Sequence, residues 1–184
     1  EIRPRDWSSD VCSSDLDLIH EFQSGNDSAF DELVQRHLQM VFGFFVKITQ
    51  DKMAAEDLAQ DLFIKLYRYL KKFRFESAFT TYLYRAQLNT INSWLRRNKW
   101  RNFLHLDDIP ETGRSDDTVE DQWRKKELWD GIYQLPKKQR TVVMMRITEE
   151  LSYQEIGKIM HISEGSAKVN FHHALNKLKE IIHE

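Results

Sequence analysis

Along most of this chain apolar residues recur every three or four positions, the spacing that places them on one face of an α-helix. Asp17 to Gly25 reads as a short leading helix closed by a glycine, and Asn26 or Asp27 as the cap of a second. On that second helix Phe30, Leu33, Val34, His37, Val41 and Phe45 share a face. After a break at residues 49–52, a third helix from Ala54 to Lys72 is expected to carry Leu58, Leu62, Leu66 and Tyr69 inward and Asp57, Gln60, Asp61 and Phe63 outward. The stretch 73–103 is dense in aromatics, with Phe79, Leu83, Ala86 and Leu88 to Ile91 expected in a core. Residues 107–122 show no period. Helical spacing returns from Trp123 to Gln134, packing through Trp123, Leu128 and Ile132, and Pro136 opens the next helix.

Punctuation is sharpest near the C-terminus. Ser152 and Glu155 stand three apart, the spacing at which a hydroxyl and a carboxylate satisfy each other's orphan backbone N–H groups. A helix is expected to start there and run to about Met160. His161-Ile162-Ser163 is too short to be anything but a turn, with Ile162 pinning it and Ser163 as a second N-cap. Ala167, Phe171, Ala174, Leu175 and Leu178 then mark one face of a last helix. Two short helices joined by three residues make a helix-turn-helix, whose second helix is the one that enters a DNA major groove. With no alternating strand pattern in front of it, the expected fold is all-α. Two helical domains, 17–106 and 123–184, flank a flexible acidic linker at 107–122.

Composition adds limits. Six glycines, three prolines and a mean hydropathy of −0.62 suit a soluble helical protein, and no apolar run approaches the ~20 residues that span a bilayer. The first sixteen residues, EIRPRDWSSDVCSSDL, are Ser/Asp-rich and unlike the rest; they read as a non-native leader outside the fold. The one cysteine, Cys12, falls in it, which leaves no thiol nucleophile or Cys-based zinc site. The formal net charge of −2 argues against a nucleic-acid partner, but its distribution does not. Residues 17–106 and 123–184 each carry +3, while 107–122 carry −6.

Candidate chemistry sits in three places. Asp57 and Asp61 project the same way from one helix, yet no third or fourth ligand accompanies them, so a solvated face or a docking surface outweighs a metal pair. His37 lies on a core stripe with no Cys or His at ligand spacing, and reads as a packed histidine. In 73–103, Phe73, Phe75, Phe79, Tyr82, Tyr84, Trp94, Trp100 and Phe103 interleave with Arg74, Arg85, Arg96, Arg97, Lys99 and Arg101. Aromatic faces stack on unpaired bases while Arg and Lys follow phosphates, and Asn89 and Asn92 bring amides suited to base edges. About half of these aromatics are expected to be core.

These blocks together resemble the extracytoplasmic-function sigma factors of bacterial RNA polymerase. The resemblance rests on DLAQDLFIKLYRYLKKF, then FxxxSAFxTYLYRxxxN, an acidic linker, and LPKKQR…LSYQEIGKIMHISEGSAKVNFHHALNKLK, in that order over Asp17 to Lys179. It implies a cytoplasmic initiation factor, on the nucleoid when bound to polymerase, and not an enzyme, with no cofactor or metal. Asp57, Gln60, Asp61 and Phe63 match the face that docks on the β′ clamp, and the β flap is a second polymerase contact. Phe73, Ala86 and Asn89 match the pocket for a flipped base of the melted downstream element. Tyr82 stands where family members usually have Trp, and Arg74, Asn92, Arg96 and Arg97 complete that DNA-facing set. Ser166, Lys168, Val169, Asn170, His172 and His173 match the helix that reads the upstream element as duplex. Family members often have Ser-Arg at Val169-Asn170 and Arg at His173, so this chain is expected to prefer a different upstream element. An anti-sigma factor is a further partner that the resemblance allows and the sequence leaves open, and no membrane insertion is implied.

The alternative is a helix-turn-helix regulator not tied to core polymerase, which needs a phospho-acceptor or ligand-binding domain in front. A nucleic-acid enzyme using Asp57 and Asp61, and an adaptor whose aromatics bind protein, are weaker readings.

Overall fold

Helix boundaries follow from local chemistry in the computed structural model, which describes residues 9–103 and 119–183. Helices α1 (Ser9–Gln23), α2 (Asp27–Thr49), α3 (Lys52–Leu70) and α4 (Phe79–Phe103) form a first unit. A second unit holds α5 (Val119–Gln134), α6 (Lys137–Thr148), α7 (Tyr153–Met160) and α8 (Glu164–His183). Gly25 ends the first turn region at φ +101, where a side chain would be strained. Asn26 precedes α2 without capping it through its side chain. Asp51 is the stronger cap: its carboxylate accepts from the Met53 and Ala54 N–H groups at 2.9 and 3.3 Å and starts α3 two residues earlier than the apolar spacing suggests. Residues 107–118 of the expected linker lie outside the described residues, and 119–122 belong to α5.

The first core is built from Phe30, Leu33, Val41, Phe44 and Phe45 of α2, Leu58, Leu62, Leu66 and Leu70 of α3, and Phe79, Leu83, Leu88 and Ile91 of α4. Two expectations are corrected here. Tyr69 is 63 % exposed and Leu70 takes the inward position, because 58, 62, 66 and 70 continue one i, i+4 row and Tyr69 falls off it. Nor do the first sixteen residues all stand outside the fold. α1 begins at Ser9, and Asp15 is fully buried, 2.8 Å from His37 Nε2 and 3.1 Å from Arg36 Nη1. A buried carboxylate needs such partners, and the core histidine needs the carboxylate. Residues 1–8 lie outside the described residues.

In the second unit Trp129, Ile132, Val142, Met144, Ile156, Ala167, Ala174 and Leu178 are buried. Leu175, expected among them, is 39 % exposed, since one position of helix rotates it about 100° from Ala174. The Trp123 side chain lies outside the described residues. The two units touch. Arg85 of α4 donates to the Ile159 and Lys158 carbonyls at 2.8 and 2.9 Å, which are last-turn acceptors of α7. Arg140 of α6 donates to Asn92 Oδ1 at 2.9 Å, the Lys47 ammonium to the Thr148 carbonyl, and the Tyr133 hydroxyl to the Ile48 carbonyl. Burial first, then nearby Asp130, pushes the Tyr133 pKa well up, with Arg140 opposing, so the hydroxyl stays a donor.

Candidate nucleic-acid interface

The helix-turn-helix is closed by complementary backbone and side-chain bonds. The Glu155 N–H donates to Ser152 Oγ at 3.2 Å and the Ser152 N–H to Glu155 Oε2 at 2.7 Å, the reciprocal cap expected from the spacing. His161 turns the chain at φ +55, and the Ile162 N–H donates to the Gly157 carbonyl at 3.0 Å. That return brings backbone onto Gly157: a Cβ there would lie 2.7 Å from the Ile162 carbonyl oxygen. Gly157 therefore sets the turn, a role that a lone glycine late in a short helix could have signalled. Ser163 Oγ then accepts from the Ser166 N–H at 3.1 Å and starts α8.

Helix α8 leaves Ser166, Lys168, Val169, His172 and His173 exposed, with Val169 at 54 %. Residues 166, 169, 170 and 173 form one i, i+3, i+4, i+7 row, flanked by 168 and 172. Asn170 is half-buried and its amide donates to the Ser166 carbonyl at 2.8 Å, which leaves its oxygen as the free half of the side chain. Lys168 pairs with Glu164 at 2.7 Å, and His172 Nε2 lies 3.3 Å from Asn176 Nδ2.

The expected single-strand face is less uniform. Phe73, Phe75 and Tyr82 are half-buried and make a chain of rings: Phe73 meets Phe75 edge-on at 5.1 Å and Tyr82 edge-on at 5.3 Å. Burial chiefly, and Tyr69 secondarily, raises the Tyr82 pKa. Gln23 of α1 fixes the loop before α4, donating to the Leu70 and Phe73 carbonyls at 2.8 and 3.0 Å. Tyr82, Ala86, Asn89 and Arg96 continue along one row of α4, with Asn89, Arg96 and Arg97 exposed and Ala86 half-buried. Arg74 is exposed in the loop, 4.0 Å from Glu76.

Asn92 is not on that row. It is buried beneath the second unit, and both halves of its amide are engaged, by Arg140 and by the Leu88 carbonyl at 2.6 Å. Arg85, one of the expected phosphate-tracking cations, is likewise spent on α7. Between the units a cleft of about 400 Å³ runs from Thr80, Thr81 and Tyr84 to Glu155 and Lys158. Side chains of Lys99, Trp100, Arg101 and Phe103 lie outside the described residues.

On α3, Asp57, Gln60 and Asp61 are exposed while Phe63 packs against the core as a half-buried residue. Sequence reasoning missed two apolar neighbours on the outer face, Met53 at 77 % exposure and Ile64 at 47 %. Residues 53, 57, 60, 61 and 64 make a mixed acidic and apolar stripe, more adhesive than a purely solvated face. Among the described residues no group of three His, Cys, Asp or Glu is placed to hold a metal, and no helix is long and apolar enough to cross a membrane.

Two family models match the two units: Sigma-70 region 2 over residues 33–101, and Sigma-70 region 4 over residues 125–178. The ECF RNA polymerase sigma-E factor of Haemophilus influenzae is 34 % identical over 167 residues, covering 84 % of this chain and 88 % of that protein. The RNA polymerase sigma-H factor of Pseudomonas aeruginosa is 33 % identical, covering 84 % and 86 %. Among solved structures, CnrH in complex with the cytosolic domain of CnrY superposes with a TM-score of 0.63 at 20 % identity, over 92 % of this chain and 97 % of that one. The sigma factor RpoE in complex with the anti-sigma factor NepR from Bartonella quintana gives 0.57 at 20 % identity, over 83 % and 96 %.

Proposed function

The chain belongs to the extracytoplasmic-function RNA polymerase sigma factors, transcription initiation factors that direct RNA polymerase to promoters, and from that footing we propose that it reads its promoter in two physical states. The α8 face reads the upstream element as duplex, and the Phe73–Tyr82 face with Ala86 and Asn89 captures the downstream element as melted single strand. One observation carries this reading: each unit presents a different surface chemistry, an exposed polar helix face in one and a chain of half-buried aromatic rings in the other. The first suits groove edges and the second suits unstacked bases. The α3 stripe from Met53 to Ile64 docks on the polymerase clamp.

The mechanism follows from the energetics. Extracting a base from the stack costs a few kcal/mol, and stacking it on protein aromatics returns about 1–3 kcal/mol, so melting is close to balanced and polymerase tips it. The closed packing of the units withholds Arg85 and the Asn92 oxygen from DNA, and separating the units frees them. The free chain therefore binds promoters weakly. Val169 contributes an apolar contact to a thymine methyl, and Asn170, through its free oxygen, a hydrogen bond to a base edge. His172 and His173 supply hydrogen bonds beside phosphate with less fixed charge than arginine, which lowers the salt dependence of binding.

Run-off transcription with core polymerase and a randomised promoter pool tests the reading. Selection of both an upstream and a downstream element supports it. Activation without core polymerase, or no association with the clamp, overturns it. Recovery of the upstream element commonest in the family removes the assignment of altered specificity to Val169 and Asn170.

A further inference from the structure

Phe75 occupies φ +58, a left-handed conformation that glycine adopts freely and a bulky side chain rarely does. The loop is held in that conformation from outside, by Gln23 bonding the carbonyls of Leu70 and Phe73. What the strained backbone achieves is the placement of a ring. Phe75 stands next to Phe73, edge-on at 5.1 Å, and its face is covered by the imidazole of His20, with ring centroids 3.8 Å apart and planes 5° from parallel. That is the geometry of one base stacked on the next. His20 is an exposed residue of α1, so the imidazole stacked on the Phe75 ring is within reach of solvent. Backbone strain that persists at an otherwise well-fixed loop points to a working role for the side chain it displays.

We propose that Phe75 is a second base-stacking platform beside the Phe73 pocket, and that an unpaired base of the melted DNA strand displaces His20 from its face. A nucleobase offers a larger π-face than imidazole and stacks regardless of identity, so this subsite adds affinity for single strand more than sequence preference. Arg74, exposed between the two rings in sequence, is placed to meet the phosphate that joins the two captured nucleotides. The inference rests on the melted-strand reading of this face and adds to it a second captured base and a histidine that yields its place.

Phe75→Gly separates this role from a packing role, because glycine suits the backbone and removes only the ring. The test uses full-length protein bound to core polymerase and a fluorescent oligonucleotide carrying the melted strand, scanned with single abasic positions. Phe75→Gly is expected to keep its thermal midpoint and its core binding while losing roughly 5- to 150-fold in oligonucleotide affinity, the range of one stacked base. One abasic position, adjacent to the one sensed by Phe73→Ala, should cost the wild type affinity and cost Phe75→Gly nothing further. Phe75→Trp should restore binding to within about twofold, and His20→Ala should bind as well as wild type or better. Unchanged binding by Phe75→Gly while Phe73→Ala is weakened overturns the proposal and leaves the melted-strand reading standing. Unchanged binding by both overturns that reading and the proposal with it. A His20→Ala loss equal to that of Phe75→Gly overturns the displacement of the imidazole.

Discussion

The two regions proposed to face DNA are built by opposite means. The helix-turn-helix is assembled from residues within about thirty positions of one another, through the Ser152–Glu155 cap, the Gly157 turn and the Ser163 cap, and its reading face points to water. The proposed single-strand face depends on distant partners: Gln23 of α1 holds its loop, His20 covers one of its rings, and the second unit covers Asn92 on the same helix. Duplex reading needs a rigid helix surface that is always presented. Base capture needs apolar rings, which are better kept half-covered until a strand is available. The difference in assembly thus matches the difference in proposed task.

Substitutions that break one region and spare the other test this contrast. The largest effect is expected at Leu70, which anchors the first core under the loop: Leu70→Ala should cost about 2–5 kcal/mol in denaturant unfolding, while Tyr69→Ala should stay within about 0.5 kcal/mol. Equal losses at both would return Tyr69 to the inward face. Gly157→Ala normally gains helix propensity, but here the new Cβ meets backbone, so a loss of about 2–3 kcal/mol is expected, with duplex binding lost and oligonucleotide binding retained. Arg85→Ala removes two charge-assisted bonds to α7, on the order of 1.5–3 kcal/mol from the closed packing. Small-angle scattering should then show a larger radius of gyration with helicity unchanged; an unchanged radius would mean that other contacts dominate. Ser152→Ala is expected to cost about 1 kcal/mol, confined to the second unit and visible as hydrogen exchange in α7 before α8.

Much of this could be read from the chain, because helix periodicity and side-chain caps act over four residues or fewer. The all-helical class, the cap at Ser152 and the turn at 161–163 are of that kind. Leu70 against Tyr69, and Ala174 against Leu175, were harder, since one position of rotation separates two apolar candidates and only the neighbouring helices choose between them. Phe75 was visible as an aromatic among many; its positive φ and its stack on His20 were not, for a ring partner fifty-five positions away leaves no local pattern. Met53 and Ile64 carry no local signal of their exposure, because an exposed apolar residue on an amphipathic helix looks like a core residue until packing is known.

By itself, then, the sequence determined the helices, their punctuation and the presence of a helix-turn-helix behind an aromatic and basic stretch, all of them consequences of short-range hydrogen bonding and apolar spacing. Tertiary structure alone decided that Asp15 completes the core with His37, that Arg85 and Arg140 close the two units on each other, and that Asn92 is buried while Asn89 is exposed. Each of these depends on which groups lose water together, and burial is a property of the folded whole.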